Sequence, residues 1–341
     1  MLMAVLLFAV GIVLLVKGGD WFVEGAAAIA ERFKMPQLLI GATVVSIGTT
    51  LPEVMVSVSS AVSGHGEIAY GNAIGSIICN TALIAAITIA FAPGKVERKS
   101  LITPVFFFFM SAGFYAAIAY INGYFSRVTG ILLLVIFLVY MIKTVRQAFK
   151  DNGDMVSDSQ NNSVNDVAAE GASSEEKKGI FAKFEDQLWF QIVLLVVGAV
   201  LIAVGADLLV DNGTIIAKGL GVPESVIAVT IVALGTSLPE LVTAVTSLIK
   251  KCGALSLGNV IGANLFNLVL VSGASCTVSP FEVPRTNMIG GYPSSLVVEI
   301  PLMIFVMAFL TVPALIKGKL SRYQGVVLLI IYAAFCVFQF M

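Results

Sequence analysis

The sequence predicts an all-α polytopic membrane protein: ten transmembrane helices in two inverted five-helix repeats. Three observations carry this. Of the 341 residues, 58% are hydrophobic and only 12% charged, with a mean hydropathy of +0.98; a soluble domain carries about a quarter charged residues. Apolar runs of the length that crosses a bilayer, about 20 residues, recur along the whole chain. Two polar motifs inside these runs occur twice, at one constant spacing. A β-barrel would show short alternating segments instead.

Taken in order, helix one is expected over 2–30. Met1 to Val16 has the look of a secretory signal, but no small-residue cleavage site follows and the apolar pattern resumes after Gly25, so it is read as a retained span. Helix two is expected over 36–62, opening at Pro36. Helix three is expected over 67–92, after a Gly-flanked loop with His65, the one histidine, read as a solvated loop residue. Helices four and five follow over 100–121 and 127–148. The second half supplies helices six to ten over 186–212, 222–249, 253–276, 293–315 and 321–340.

Lys and Arg set the orientation. With the N-terminus outside, inside loops hold sixteen of the 20, and outside loops hold three, Arg127, Lys218 and Arg285; Lys17 lies within helix one. Both termini are therefore expected outside. Asp151 to Lys178 is the one long hydrophilic stretch, rich in Asn, Ser, Asp and Glu and without apolar periodicity. It reads as a flexible cytoplasmic linker, with no DxDxDG calcium loop. The division is 1–150 for the first repeat, 151–180 for the linker and 181–341 for the second repeat.

The halves are copies. "GTTLPE" at Gly48 to Glu53 returns as "GTSLPE" at Gly235 to Glu240, 187 positions later. "GNAIGSIICN" at Gly71 to Asn80 returns as "GNVIGANLFN" at Gly258 to Asn267 with the same offset. Asp20 and Asp207, Glu24 and Asp211, and Pro36 and Pro223 keep it too. Five helices per half is odd, so the second copy enters the membrane from the opposite side, the arrangement of many secondary transporters.

Pro52 and Pro239 remove a backbone donor and clash with the carbonyl four residues earlier, at Gly48 and Gly235. The helices are expected to kink or unwind there, and a cation can satisfy the freed carbonyls. Thr49 and Glu53, and Thr236 and Glu240, are four apart and share a face. An acid inside a span is costly and marks a functional candidate; two in related positions strengthen that reading over a structural one. Asn72, Ser76 and Asn80 fall on one face, as do Asn259, Ala263 and Asn267. For Asn72 and Asn259, helix packing and ion contact stay equally open. Asn80 and Asn267 lie deeper and favour ion contact. Asp20, Glu24, Asp207 and Asp211 are read as interhelical pairs, with Lys17 as a partner for Asp20. Glu299 has no acidic counterpart and no assigned role.

The donors are carboxylate, amide, hydroxyl and carbonyl oxygens, the set for hard cations such as Na⁺, Ca²⁺ or Mg²⁺. Two carboxylates balance one Ca²⁺ or two Na⁺. The scattered Cys79, Cys252, Cys276 and Cys336 form no CxxC pair and read as small apolar side chains. No basic patch suggests nucleic acid, no protein partner is evident, and no HExxH or Ser–Lys pair suggests an intramembrane hydrolase.

The paired motifs resemble the cation/calcium exchanger superfamily, specifically its prokaryotic sodium/calcium exchangers, across essentially the whole chain. The resemblance implies a calcium/sodium antiporter in the plasma membrane, with calcium, sodium and the lipid bilayer as partners and no cofactor. It implies sites between helices two, three, seven and eight, and a helix one–six pair that slides across them. Glu53 and Glu240, with the Thr49 and Thr236 carbonyls, would bind calcium. The hydroxyls of Thr49, Thr50, Thr236, Ser237 and Ser76 and the carbonyls of Ser46 and Ala233 would line sodium sites. Asn80 and Asn267 would sit at the centre. Two positions depart from some relatives: Ala263 replaces a serine and Asn267 an aspartate, and the second argues against potassium coupling. The second motif lacks the Glu usual in proton-coupled relatives, which favours sodium. Proton-coupled exchange on the same fold is the first alternative, a cation channel the second.

Overall fold

The computed structural model describes residues 2–161, 187–220, 235, 237–285 and 288–339. Its helices are α1 Leu2–Arg32, α2 Gln37–Val62, α3 Gly66–Phe91, α4 Arg98–Asn122, α5 Arg127–Asn161, α6 Leu188–Gly219, α7 Leu238–Ile249, α8 Gly253–Val278, α9 Ser295–Lys317 and α10 Arg322–Gln339. Among the described residues, nine helices are long and apolar enough to cross a membrane, α5 through its part Arg127–Gln147. The tenth, α7, is the shorter apolar helix Leu238–Ile249. The first part of the expected helix seven, 222–234, lies outside the described residues. Helical spans follow from the solvent, since lipid offers no hydrogen bonds to an open backbone.

Where both ends are described, the expected boundaries hold to within a few residues, except that α5 continues to Asn161 rather than 148 and α6 to Gly219 rather than 212. The first residues of the stretch read as a linker are thus helical. Extension adds one hydrogen bond per residue once a helix exists, and Asp151 to Asn161 holds no proline. The rest of the linker, 162–180, lies outside the described residues. Glycines at φ 62° (Gly123) and 65° (Gly318) stop α4 and α9, the fourth helix of each half.

The helices α1 and α6 lie along each other at backbone contact. A Cβ on Gly18 would stand 2.9 Å from the Gly198 carbonyl oxygen, so only glycine fits there. The helices α2, α3, α7 and α8 pack together as the centre, and α8 is the most completely buried span. Where α2 crosses α8, a Cβ on Gly258 would lie 2.2 Å from the Leu38 carbonyl oxygen.

Contacts between the halves are reciprocal. The fifth helix of the first half, α5, lies on the last part of α8, and the fifth helix of the second half, α10, lies on the last part of α3. A two-residue strand after α4, β1 (Tyr124–Phe125), pairs antiparallel with β2 (Phe281–Glu282) after α8. At the other end of α4, the loop after α9 bridges to the loop after α3, Lys319 against Lys95. A small hairpin joins β3 (Met288–Ile289) to β4 (Tyr292–Pro293) through Gly290 and Gly291, both at positive φ.

Two expectations change. Pro52 does not unwind its helix: residues Ser46–Val62 are α-helical throughout. The departure from α geometry lies earlier, in a π-helical turn at Gly41–Val45, a feature that often accompanies functional sites. Asp20 pairs across helices as expected, but with Lys250 rather than Lys17. Lys250 Nζ donates to the Asp20 carbonyl (2.8 Å) and lies 3.2 Å from Glu24 Oε2. The crossing of α1 past the end of α7 brings together charges that the sequence separates widely.

Candidate functional site

The site forms where the two hexapeptides meet inside the α2, α3, α7 and α8 group. Glu53 sits one turn after Thr49 on α2, and the missing N–H of Pro52 leaves the Gly48 carbonyl without its helical donor. In the second half the helix begins at Leu238, with Pro239 in its first turn and Ser237 outside helical geometry at φ −93°, ψ 6°. Glu240 therefore lies in the first turn of α7, where the helix end favours negative charge.

Of the eleven residues singled out in the sequence, nine are described, and all nine are buried: Ser46, Thr49, Thr50, Glu53, Ser76, Asn80, Ser237, Glu240 and Asn267. Ala233 and Thr236 lie outside the described residues. Glu53 and Glu240 are 0% exposed and close enough to feel each other's charge. None of their four carboxyl oxygens has a hydrogen bond of normal length and angle. The same holds for Thr50 Oγ1, Ser237 Oγ and both amide ends of Asn80 and Asn267. Buried polar groups are almost always paired, and a bare buried charge is costly, so this concentration of unpaired polar atoms, most of them oxygens, suits a bound cation.

The asparagines are placed by the backbone. Each opens a π-helical turn, Asn80–Ala85 in α3 and Asn267–Val271 in α8, at equivalent positions of the two copies. In α8 the wider turn lets Ser272 Oγ donate to the Asn267 carbonyl at 3.1 Å.

Asn72 and Asn259 play different parts. Asn72 Nδ2 donates to Ser57 Oγ (2.8 Å) and to the Glu53 carbonyl (3.3 Å), within its own half. Asn259 reaches across: its Oδ1 accepts from Thr49 Oγ1 at 3.2 Å and from Ser46 Oγ at 3.4 Å. The sequence reading missed Asn264, whose Nδ2 donates to Thr81 Oγ1 at 2.7 Å between α8 and α3. Its counterpart in the first copy is Ile77, so comparison of the repeats could not mark it; an amide inside an apolar span was the one available signal. Glu299 stays apart and accepts from Ser294 Oγ at 3.3 Å.

A narrow crevice lined by Phe22, Gly48, Thr49, Pro52, Ile202 and Pro239 reaches Thr49 between the α1–α6 pair and the centre. A larger pocket at the ends of α2, α3 and α8, with Leu38, Lys95, Glu97 and Leu257 in its wall, touches neither carboxylate. No group of three or more His, Cys, Asp or Glu forms a metal cluster among the described residues. The donors are two acids with hydroxyls and amides, a set suited to hard cations.

The family model for sodium/calcium exchanger protein matches residues 3–145 and 190–341. Sodium/calcium exchanger MaX1 of Methanosarcina acetivorans is 32% identical over 98% of both chains. Inner membrane protein YrbG of Escherichia coli is 33% identical over 88% of this chain and 87% of its own. A solved structure of the sodium-calcium exchanger NCX_Mj, soaked with Na⁺ and Sr²⁺, superposes with a TM-score of 0.76 at 29% identity, covering 98% of this chain and 97% of that one. The chain thus belongs to the sodium/calcium exchanger family of the cation/calcium exchanger superfamily, and is a helical membrane transporter rather than an enzyme.

Proposed function

We propose that the protein exchanges sodium for calcium across the plasma membrane, sodium moving inward and calcium outward. The single observation that supports this most is the cluster of buried oxygens without partners. Six of the nine described candidates, Thr50, Glu53, Asn80, Ser237, Glu240 and Asn267, contribute to it. Two carboxylates face one Ca²⁺ or two Na⁺ at equal charge, so one site serves both ions in turn. Glu53 and Glu240 hold calcium, and the hydroxyls of Thr49, Thr50, Ser237 and Ser76 turn toward sodium. The halves act as inverted copies, and the α1–α6 pair moves across the centre to open the site to one side or the other. Both termini lie outside and the 151–180 stretch lies in the cytoplasm, by the distribution of Lys and Arg.

Proton-coupled exchange is the competing reading. Neither "GNAIGS" nor "GNVIGA" carries an acid, and that favours sodium. The test is ⁴⁵Ca uptake into proteoliposomes loaded with sodium, with the external sodium or the pH gradient varied separately. Uptake driven by an outward sodium gradient supports the proposal. Uptake driven by a pH gradient in the absence of sodium overturns it.

A further inference from the structure

We propose that Asn259 is a positioning residue that takes the proton of the Thr49 hydroxyl and so turns its lone pairs toward the ion. This rests on the reading of the Glu53–Glu240 region as the cation site.

A hydroxyl has one proton to give and two lone pairs. It serves a cation only when its proton points elsewhere. Thr49 Oγ1 lies beside Glu240, an acceptor that would otherwise claim that proton. Both Glu240 oxygens are nevertheless without a hydrogen bond of normal geometry, and the Thr49 proton goes to Asn259 Oδ1 at 3.2 Å. Ser46 Oγ has its nearest acceptor in the Gly41 carbonyl of its own helix (2.7 Å), with the Asn259 carbonyl (3.0 Å) and Asn259 Oδ1 (3.4 Å) farther away. Each is an acceptor, so the Ser46 oxygen also keeps its lone pairs.

Asn259 is itself 0% exposed, and its Nδ2 has no partner. The amide is therefore held through its oxygen alone, as an acceptor. The close crossing of α2 and α8 makes this reach possible. A Cβ on Gly41 would lie 2.8 Å from the Asn259 nitrogen, and one on Gly262 would lie 2.3 Å from Ser46 Oγ. The equivalent Asn72 donates within its own half, and the counterparts of Ser46 and Thr49, Ala233 and Thr236, lie outside the described residues.

Two consequences separate positioning from packing. Removing the acceptor should release the Thr49 proton to Glu240 and weaken sodium, and the loss should require the Thr49 hydroxyl. The experiment measures the sodium concentration that displaces half of the bound ⁴⁵Ca from the purified full-length protein. Asn259→Leu should raise it about tenfold, the scale of one hydrogen bond. Asn259→Asp, which as a carboxylate can only accept, should stay nearer wild type. In a Thr49→Val background, Asn259→Leu should add little. Three results would overturn the proposal: wild-type sodium displacement in Asn259→Leu, an equal loss in Asn259→Asp, or an undiminished effect of Asn259→Leu beside Thr49→Val. If Asn259→Leu does not fold, the Asp variant, alone and beside Thr49→Val, decides: a loss of about tenfold in Asp alone overturns it. Glu53→Gln run in parallel keeps the failures distinct, because retained ⁴⁵Ca binding there would mean that the site itself was misread.

Discussion

In the first half Pro52 lies inside the continuous helix Ser46–Val62, whereas in the second half Pro239 lies in the first turn of a helix that starts at Leu238. Asn72 is partly buried and donates to its own half, whereas Asn259 is fully buried and accepts from the other. Lys250 ties the end of α7 to Asp20 and Glu24 of α1, and the equivalent residue of the first half is Ser63, which has no charge to offer. One inherited motif thus supplies the same chemistry twice, and packing decides what each copy does with it. The two carboxylates remain equivalent in burial and in lack of partners. The side chains around them do not.

The two carboxylates are where the halves are expected to behave alike. Glu53→Gln and Glu240→Gln should each abolish ⁴⁵Ca exchange at near-constant side-chain volume. Removing one of two charges that face a buried divalent ion costs about 3 kcal/mol or more, a loss of about a hundredfold. Near-normal exchange in either variant would mean that the two acids do not act together.

Gly258→Ala probes the crossing that makes the halves unequal. The new Cβ would meet the Leu38 carbonyl at 2.2 Å, and backbone cannot swing aside as a side chain can. Overpacking of this kind costs about 1–3 kcal/mol, readable as a lower melting temperature of the purified protein. An unchanged melting temperature would contradict the close approach of α2 to α8.

Lys250→Ser makes the second half match the first. The ion pairs it removes are part-exposed, with side-chain exposures of 27% for Lys250, 41% for Asp20 and 51% for Glu24. Such pairs are worth about 0.2–1 kcal/mol. The stability loss should be small, and high salt should reduce it further. A loss of several kcal/mol would show that this contact, not the crossing, dominates the asymmetry.

The smallest effect is expected from deleting Asp154 to Ser174. The stretch has no apolar periodicity in its sequence. ⁴⁵Ca exchange should persist in the deletant, and its loss in a correctly inserted protein would assign the segment a regulatory or structural part.

The sequence made the spans legible because the bilayer leaves a long apolar run little choice but a helix. Glu53, Glu240, Asn80 and Asn267 were legible because each appears twice at one offset. What repetition did not mark was harder to read. The Asn264–Thr81 bond has Ile77 and Leu268 at its equivalent positions. The Asp20–Lys250 contact joins residues far apart in the chain. The continuity of α2 through Pro52 went against a local rule, because the surrounding helices hold the α geometry that the proline alone would disfavour. In each case the missing information was tertiary packing.

The central claim is that one acid from each half completes a single calcium site that sodium also occupies. Calorimetric titration of calcium into the purified full-length protein tests it most directly, in wild type, Glu53→Gln and Glu240→Gln, with and without sodium. Wild type should bind one calcium per chain, weakened competitively by sodium, and neither variant should bind calcium measurably. Full calcium binding in one variant, or binding that sodium does not weaken, would contradict it.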